Sequence, residues 1–170
     1  MKLLSKAVIL SAGLALAACS NAGRFDDTND VTLNGSNAGI VPGSAQDPKS
    51  PLYFQQTVGD RVLFEVDQST LSPTGRATLD GQSSWLTNNP EYNALIEGHA
   101  DEQGTRQYNL ALGARRAAAV QDYLISRGVA GNRIKVVSYG KERPIEICSE
   151  ESCYAKNRRA VTVVSVVPSS

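Results

Sequence analysis

At 170 residues the chain has room for one ordinary domain with extensions. Seventeen basic and seventeen acidic side chains cancel, so charge gives no reason to expect nucleic acid or an anionic membrane surface as a partner. One histidine, His99, excludes a multi-histidine metal centre, and no metal or cofactor is expected.

In chain order, MKLLSK supplies a short positive start and residues 7–18 an apolar run too short to span a bilayer comfortably. The run ends Leu16-Ala17-Ala18-Cys19. Small residues before a cleavage point fit any secretory signal, but a cysteine directly after them resembles the bacterial lipobox. The expectation is a signal peptide over 1–18, lipidation of Cys19, and an anchor of two or three acyl chains. Ser20, with no aspartate in its place, points to the outer membrane, with the folded part facing the periplasm. Cleavage removes Lys2 and Lys6 and leaves two more acidic than basic groups.

Residues 19–55 carry Asn, Gly, Ser, Asp and Pro with isolated apolar residues, and read as the lipidated N-terminus and a flexible linker. Its contour reaches ~115 Å and its random-coil mean is ~35 Å. A domain over 56–170 follows. Arg61 to Val66 is a candidate strand. Ser72-Pro73 opens a helix that runs to about Thr87, with Ser as N-cap and Pro at the first helical position. Asn89-Pro90 stops it. Asn93 to Glu97 reads as a strand ending at Gly98. Thr105 caps a long helix from Arg106 to Arg127, and Gly128 ends it in the left-handed conformation. Gly113, Ala117, Val120 and Leu124 give that helix a buried face. Arg133 to Tyr139 and Ala160 to Val167 are further strands, the last rich in β-branched residues. The order is β-α-β-α-β-β, a two-layer α/β (α+β) domain with a small mixed sheet against two main helices.

The densest chemistry is Glu97-Gly98-His99-Ala100-Asp101-Glu102-Gln103-Gly104, joining a strand to the long helix, where α/β domains present side chains and free amides. Asp101 and Arg116 can face one shallow pocket if the loop folds back over the first turns. On residue types and spacing alone the plainer reading is favoured: Asp101 as a turn cap and Arg116 as a solvated helix charge.

EGHADE, GxRRA and SYGKE occur in that order within LIEGHADEQGTRQYNLALGARRAAAVQDYLISRGV, RIKVVSYGKERP and KNRRAV. Over residues 60–167 the chain resembles the OmpA-like domain family, most nearly its peptidoglycan-associated lipoprotein branch. The resemblance implies an OmpA-like fold that binds the diaminopimelate of the peptidoglycan stem peptide, with Asp101 meeting the ammonium and Arg116 the carboxylate. It implies Asp67 and Leu71 along the same cleft, with Leu112 one helical turn before Arg116. Val66 stands where many relatives have phenylalanine, so that wall is expected to be shallower. TolB and the Tol–Pal system of envelope integrity and division are implied as partners. Asp101 and Arg116 are expected at the surface of the cleft, so that the fold survives replacing either.

A periplasmic hydrolase using His99 with Asp101 or Glu102 is the rival from another class, and an OmpA-like stabilising module of another envelope complex is a third reading. Absence of a nucleophile or ligand set disfavours the hydrolase, so the chain is read as a binding module rather than an enzyme. The resemblance places His99 in the loop's internal hydrogen bonding. Cys148 and Cys153 remain as an even pair in an oxidising compartment, so a disulfide is expected. The pair departs from the family pattern and is expected to leave wall binding alone. Lys156-Asn157-Arg158-Arg159 reads as a solvated face or an internal salt-bridge set, with contact to the glycan or stem-peptide carboxylates as the functional alternative.

Overall fold

The computed structural model describes residues 39–166. The expected signal peptide, Cys19 and the first part of the expected linker lie outside the described residues. Four strands form one sheet in the order β1-β4-β2-β3: β1 Arg61–Leu63, β2 Tyr92–His99, β3 Ile134–Gly140 and β4 Arg159–Val166. β4 runs antiparallel to both β1 and β2, while β2 and β3 are parallel and joined by a helical crossover. The mixed α/β architecture is the one the alternating periods imply. Helices α2 (Pro73–Asn88) and α3 (Arg106–Ser126) supply the second layer.

Each long helix begins where its cap chemistry demands. The Ser72 side chain accepts from the Gly75 amide and that of Thr105 from the Tyr108 amide. After α3, Gly128 takes a φ of 96°, which a side chain would strain. The core between the layers includes Ile96, Leu79, Leu86, Ala117, Val120 and Leu124, all fully buried. Gln82 is also fully buried. It donates to the Gly59 carbonyl at 2.7 Å and accepts from the Thr162 hydroxyl at 2.8 Å, so its amide is matched rather than stranded.

The folded unit starts earlier than residue 56. Residues Pro51–Tyr53 form a single helical turn, α1, that continues as a π-helical turn over Phe54–Gly59. Phe54 is fully buried and packs on Trp85, while the Trp85 indole donates to the Pro48 carbonyl at 2.7 Å. Isolated apolar residues without a period made this segment look like linker, but its order comes from docking. The first strand is also shorter than Arg61–Val66. Pairing ends with the Phe64 amide on the Arg158 carbonyl, and the chain then turns so that Asp67 adopts a φ of 57°. A further helix, α4 (Glu151–Asn157), occupies what composition suggests is loop.

β2 and α3 approach closely at Gly98 and Gly113. A Cβ at Gly98 would fall on the Gly113 carbonyl, which is backbone and cannot swing aside. Gly98→Ala therefore lowers unfolding free energy by about 3 kcal/mol, read from the urea midpoint. An unchanged midpoint contradicts this close approach.

Candidate functional site

The parallel register of β2 on β3 shifts between Gly98 and His99, and this irregularity redirects the chain into the loop that precedes α3. The Ala100 amide donates to the Gly140 carbonyl at 2.8 Å, ending the strand. Asp101 Oδ1 then accepts from the Gln103 amide at 3.2 Å, the turn-capping role read from residue type. Asn109 Nδ2 donates to the Gln103 carbonyl at 2.7 Å, and Lys141 Nζ donates to the carbonyls of Glu102 and Gly104. The loop is thus held by α3 on one side and by the segment after β3 on the other.

Beside it lies an open cleft of about 260 Å³. Val66, Asp67, Asp101 and Leu112 line it, so four of the six expected binding residues meet there. Tyr108 and Asn109 line it too and were missed. Tyr108, Leu112 and Arg116 are spaced by four along α3 and share a stripe, a signal that was available in the sequence. The Tyr108 hydroxyl donates to Asp67 Oδ1, fixing that carboxylate at the rim. A larger recess of about 590 Å³ lies between β1, the start of α2 and α4, and holds none of the expected residues.

Two expected residues sit elsewhere. Leu71 packs against the hydrophobic core and does not line the cleft. Arg116 is not at a cleft surface: it is fully buried. Its Nε donates to the Gln68 carbonyl at 2.8 Å, Nη1 to the His99 carbonyl at 2.8 Å and Nη2 to the Glu65 carbonyl at 3.1 Å. The guanidinium also lies 5.2 Å from the centre of the Phe64 ring. The turn after β1 and the end of β2 each need an internal donor, and a fork with five N–H groups supplies both. Burial pulls its pKa down to about 10, while the Asp101 and Asp67 carboxylates oppose that fall.

Asp101 is itself only 8% exposed. Its nearest cation is Arg158, whose Nη1 donates to Oδ2 at 3.2 Å. Arg158 is buried and also bonds the Glu151 carboxylate; burial works against its charge, but these two acidic partners outweigh it and its pKa rises. Arg159 is buried as well, so the two arginines of the basic run are internal, while Lys156 stays exposed and pairs with Glu146 at 3.0 Å. Cys148 and Cys153 are joined by a disulfide with the Cα atoms 6.0 Å apart, leading into α4 rather than spanning a plain loop.

His99 is 1% exposed, and neither ring nitrogen has a hydrogen-bond partner among the described residues. Glu97 Oε2 is 3.6 Å from Nε2, too far for a bond. The loop's internal bonding therefore runs through the His99 carbonyl, not the imidazole. Burial first, then Arg159 and Arg143, hold the ring's pKa down to about 4. A neutral, enclosed ring that does not line the cleft is poorly placed as the base of a hydrolase.

The OmpA family model matches residues 63–158. The chain belongs to the OmpA family. It is 48% identical over 158 residues to the peptidoglycan-associated lipoprotein of Mesorhizobium japonicum, covering 93% of this chain and 90% of that protein. With the protein of the same name from Rhizobium meliloti it shares 52% over 152 residues, covering 89% of this chain and 82% of the relative. Among solved structures, the peptidoglycan-associated lipoprotein from Burkholderia pseudomallei superposes with a TM-score of 0.63 at 37% identity, over 71% of this chain and 98% of that one. The C-terminal domain of Helicobacter pylori MotB matches with a TM-score of 0.60 at 22% identity, over 64% and 86%, and shares the fold.

Two outcomes follow from this OmpA-family site. Arg116→Ala leaves three carbonyls without their donor and costs about 4 kcal/mol of stability, whereas the fold was expected to tolerate the change. Chemical denaturation with a circular dichroism readout checks it; a loss below about 1 kcal/mol contradicts the buried role. His99 titrates near 6.5 in the unfolded chain and near 4 in the folded one, so between those values only the unfolded chain takes the proton. Stability is complete above pH 6.5 and falls by up to roughly 3 kcal/mol as pH drops to 4. Denaturation midpoints across that range, compared with His99→Gln, should show this component absent in the variant.

Proposed function

We propose that this domain binds peptidoglycan non-covalently at the Asp101 cleft and does no chemistry on it. The observation that carries the reading is one arrangement: two carboxylates, Asp101 and Asp67, line a small cleft, and both act on the charge of the buried Arg116 one helical turn beyond Leu112. The free end of diaminopimelate carries an ammonium and a carboxylate on one carbon. Asp101 accepts from the ammonium, helped by Asp67, while the Leu112 and Val66 side chains cover the aliphatic stem. Arg116 draws the carboxylate from below. Its three carbonyl bonds leave one N–H on each Nη atom uncommitted, and these are the donors proposed for the ligand carboxylate.

The names of the relatives support the same reading at full length. On it, residues 1–18 are a signal peptide, lipidated Cys19 anchors the chain in the outer membrane, and the domain tethers that membrane to the wall from the periplasmic side. TolB is the proposed protein partner, within the Tol–Pal system that maintains the envelope during division. Among the described residues no helix is long and apolar enough to cross a membrane.

The test is a titration of the protein with diaminopimelate-type and lysine-type muropeptides. Lysine keeps the ammonium and lacks the neighbouring carboxylate, so it binds at least about tenfold more weakly, one lost charge-assisted bond. Asp101→Asn loses about tenfold on the diaminopimelate ligand while circular dichroism stays unchanged. Equal affinity for the two muropeptides overturns the assignment.

A further inference from the structure

We propose that α4, with the Cys148–Cys153 disulfide closing its first turn, is a positioning element that fixes the Asp101 carboxylate through Glu151 and Arg158; the proposal rests on reading the Asp101 cleft as the wall-binding site.

The contacts form one connected path. Arg158 caps the C-terminal end of α4 and is 3% exposed. Its Nη1 meets Asp101 Oδ2 at 3.2 Å, its Nε donates to the Phe64 carbonyl at 3.2 Å, and its Nη2 bonds the Glu151 carboxylate. Glu151 is the first residue of α4 and lies between the two cysteines in sequence. A second path runs beside the first. The hydroxyls of Tyr154 and Ser149 both donate to Glu102 Oε1, at 3.1 and 3.4 Å. Residues 149–158 therefore hold both Asp101 and Glu102, the two acidic residues at the tip of the ligand loop.

A seven-residue helix has little stability of its own in water, because nucleation costs more than so few turns return. α4 also buries almost nothing apolar; its one buried residue is Asn157. Ring closure between Cys148 and Cys153 compensates by confining the four residues between them, Glu151 included. The Glu151 side chain is 65% exposed, so without that confinement it is free to leave Arg158 for water. Arg158 then keeps only Asp101 and the Phe64 carbonyl, so the guanidinium that holds the Asp101 carboxylate is itself less firmly fixed.

Both cysteines are only partly buried, so a small dithiol reaches the bond. One reductant thiolate attacks one cysteine sulfur, forming a mixed disulfide and releasing the other cysteine as a thiolate; the reductant's second thiolate then attacks its own sulfur in the mixed disulfide and releases the first cysteine. The protein disulfide gains two electrons and two protons to become two thiols, and the dithiol becomes a cyclic disulfide.

The experiment compares the oxidised and dithiothreitol-reduced full-length protein in two ways. Hydrogen exchange without ligand is expected to show amides 101–105 exchanging at least tenfold faster after reduction, while β2 and α3 keep their protection. Titration with the diaminopimelate muropeptide is expected to show at least a fivefold loss of affinity on reduction and recovery on reoxidation, the reverse of the expectation from sequence that the cysteine pair leaves wall binding alone. Cys148→Ser/Cys153→Ser should match reduced protein under both conditions, and Glu151→Gln should speed exchange at 101–105 with the disulfide intact. In Asp101→Asn protein, reduction should cause no further loss, since the group acted upon is gone; a general loosening of the fold would still weaken binding there. Identical exchange at 101–105 in the two redox forms overturns the proposal. Failure of oxidised wild type to bind the muropeptide overturns the wall-binding reading instead, and the exchange comparison still decides the coupling.

Discussion

The Arg116 guanidinium organises the end of this domain that carries the Asp101 cleft. It collects the carbonyls of Glu65, Gln68 and His99, which belong to two connections that share no other regular pairing. The turn after β1 can bend through the left-handed Asp67 because its inward carbonyls find donors there. The end of β2 can depart from the sheet for the same reason. A lysine has the charge but not the planar fork, and cannot serve three acceptors arranged around it in this way. The cleft is consequently a surface laid over a buried cation, with carboxylates gathered above it.

The surrounding charges follow from that choice. Arg116, Arg158 and Arg159 are all buried within a small region. Each is made tolerable by carbonyl or carboxylate acceptors, and the one imidazole nearby is kept uncharged. Asp101 has two roles at once: it caps its own turn and it balances Arg158. On the proposed wall-binding reading, a ligand at its outer side would draw on a carboxylate already partly committed, which favours modest affinity offset by many copies.

Much of this was legible in residue order, for local reasons. Ser72-Pro73, Thr105 and Gly128 each carry helix-boundary chemistry that needs no tertiary information, and the β-branched run of β4 declares itself. Arg116 was half legible. It shares the spacing of Leu112, Val120 and Leu124, so an arginine in an apolar stripe signalled burial, yet helix charges are so often solvated that the stripe was read without it. Segments ordered only by docking were not legible. Phe54 has no periodic neighbours to announce it, and α4 has neither an apolar face nor a capping side chain. Arg158 looks like any member of a basic run until the fold brings Asp101 and Glu151 to it.

The docked segment ahead of β1 bears on how the domain carries load. β1 pairs with its neighbour over three residues only, and alone it would be the first element to peel if the preceding chain were pulled. Pulling does not reach it directly. The Pro48 carbonyl is latched to the Trp85 indole, and Phe54 is wedged against the same ring. Trp85 belongs to the last turn of a sixteen-residue helix packed across the core. Tension on the N-terminal chain is thereby passed to that helix and spread through the interior, and the short strand rides behind it as a slack member.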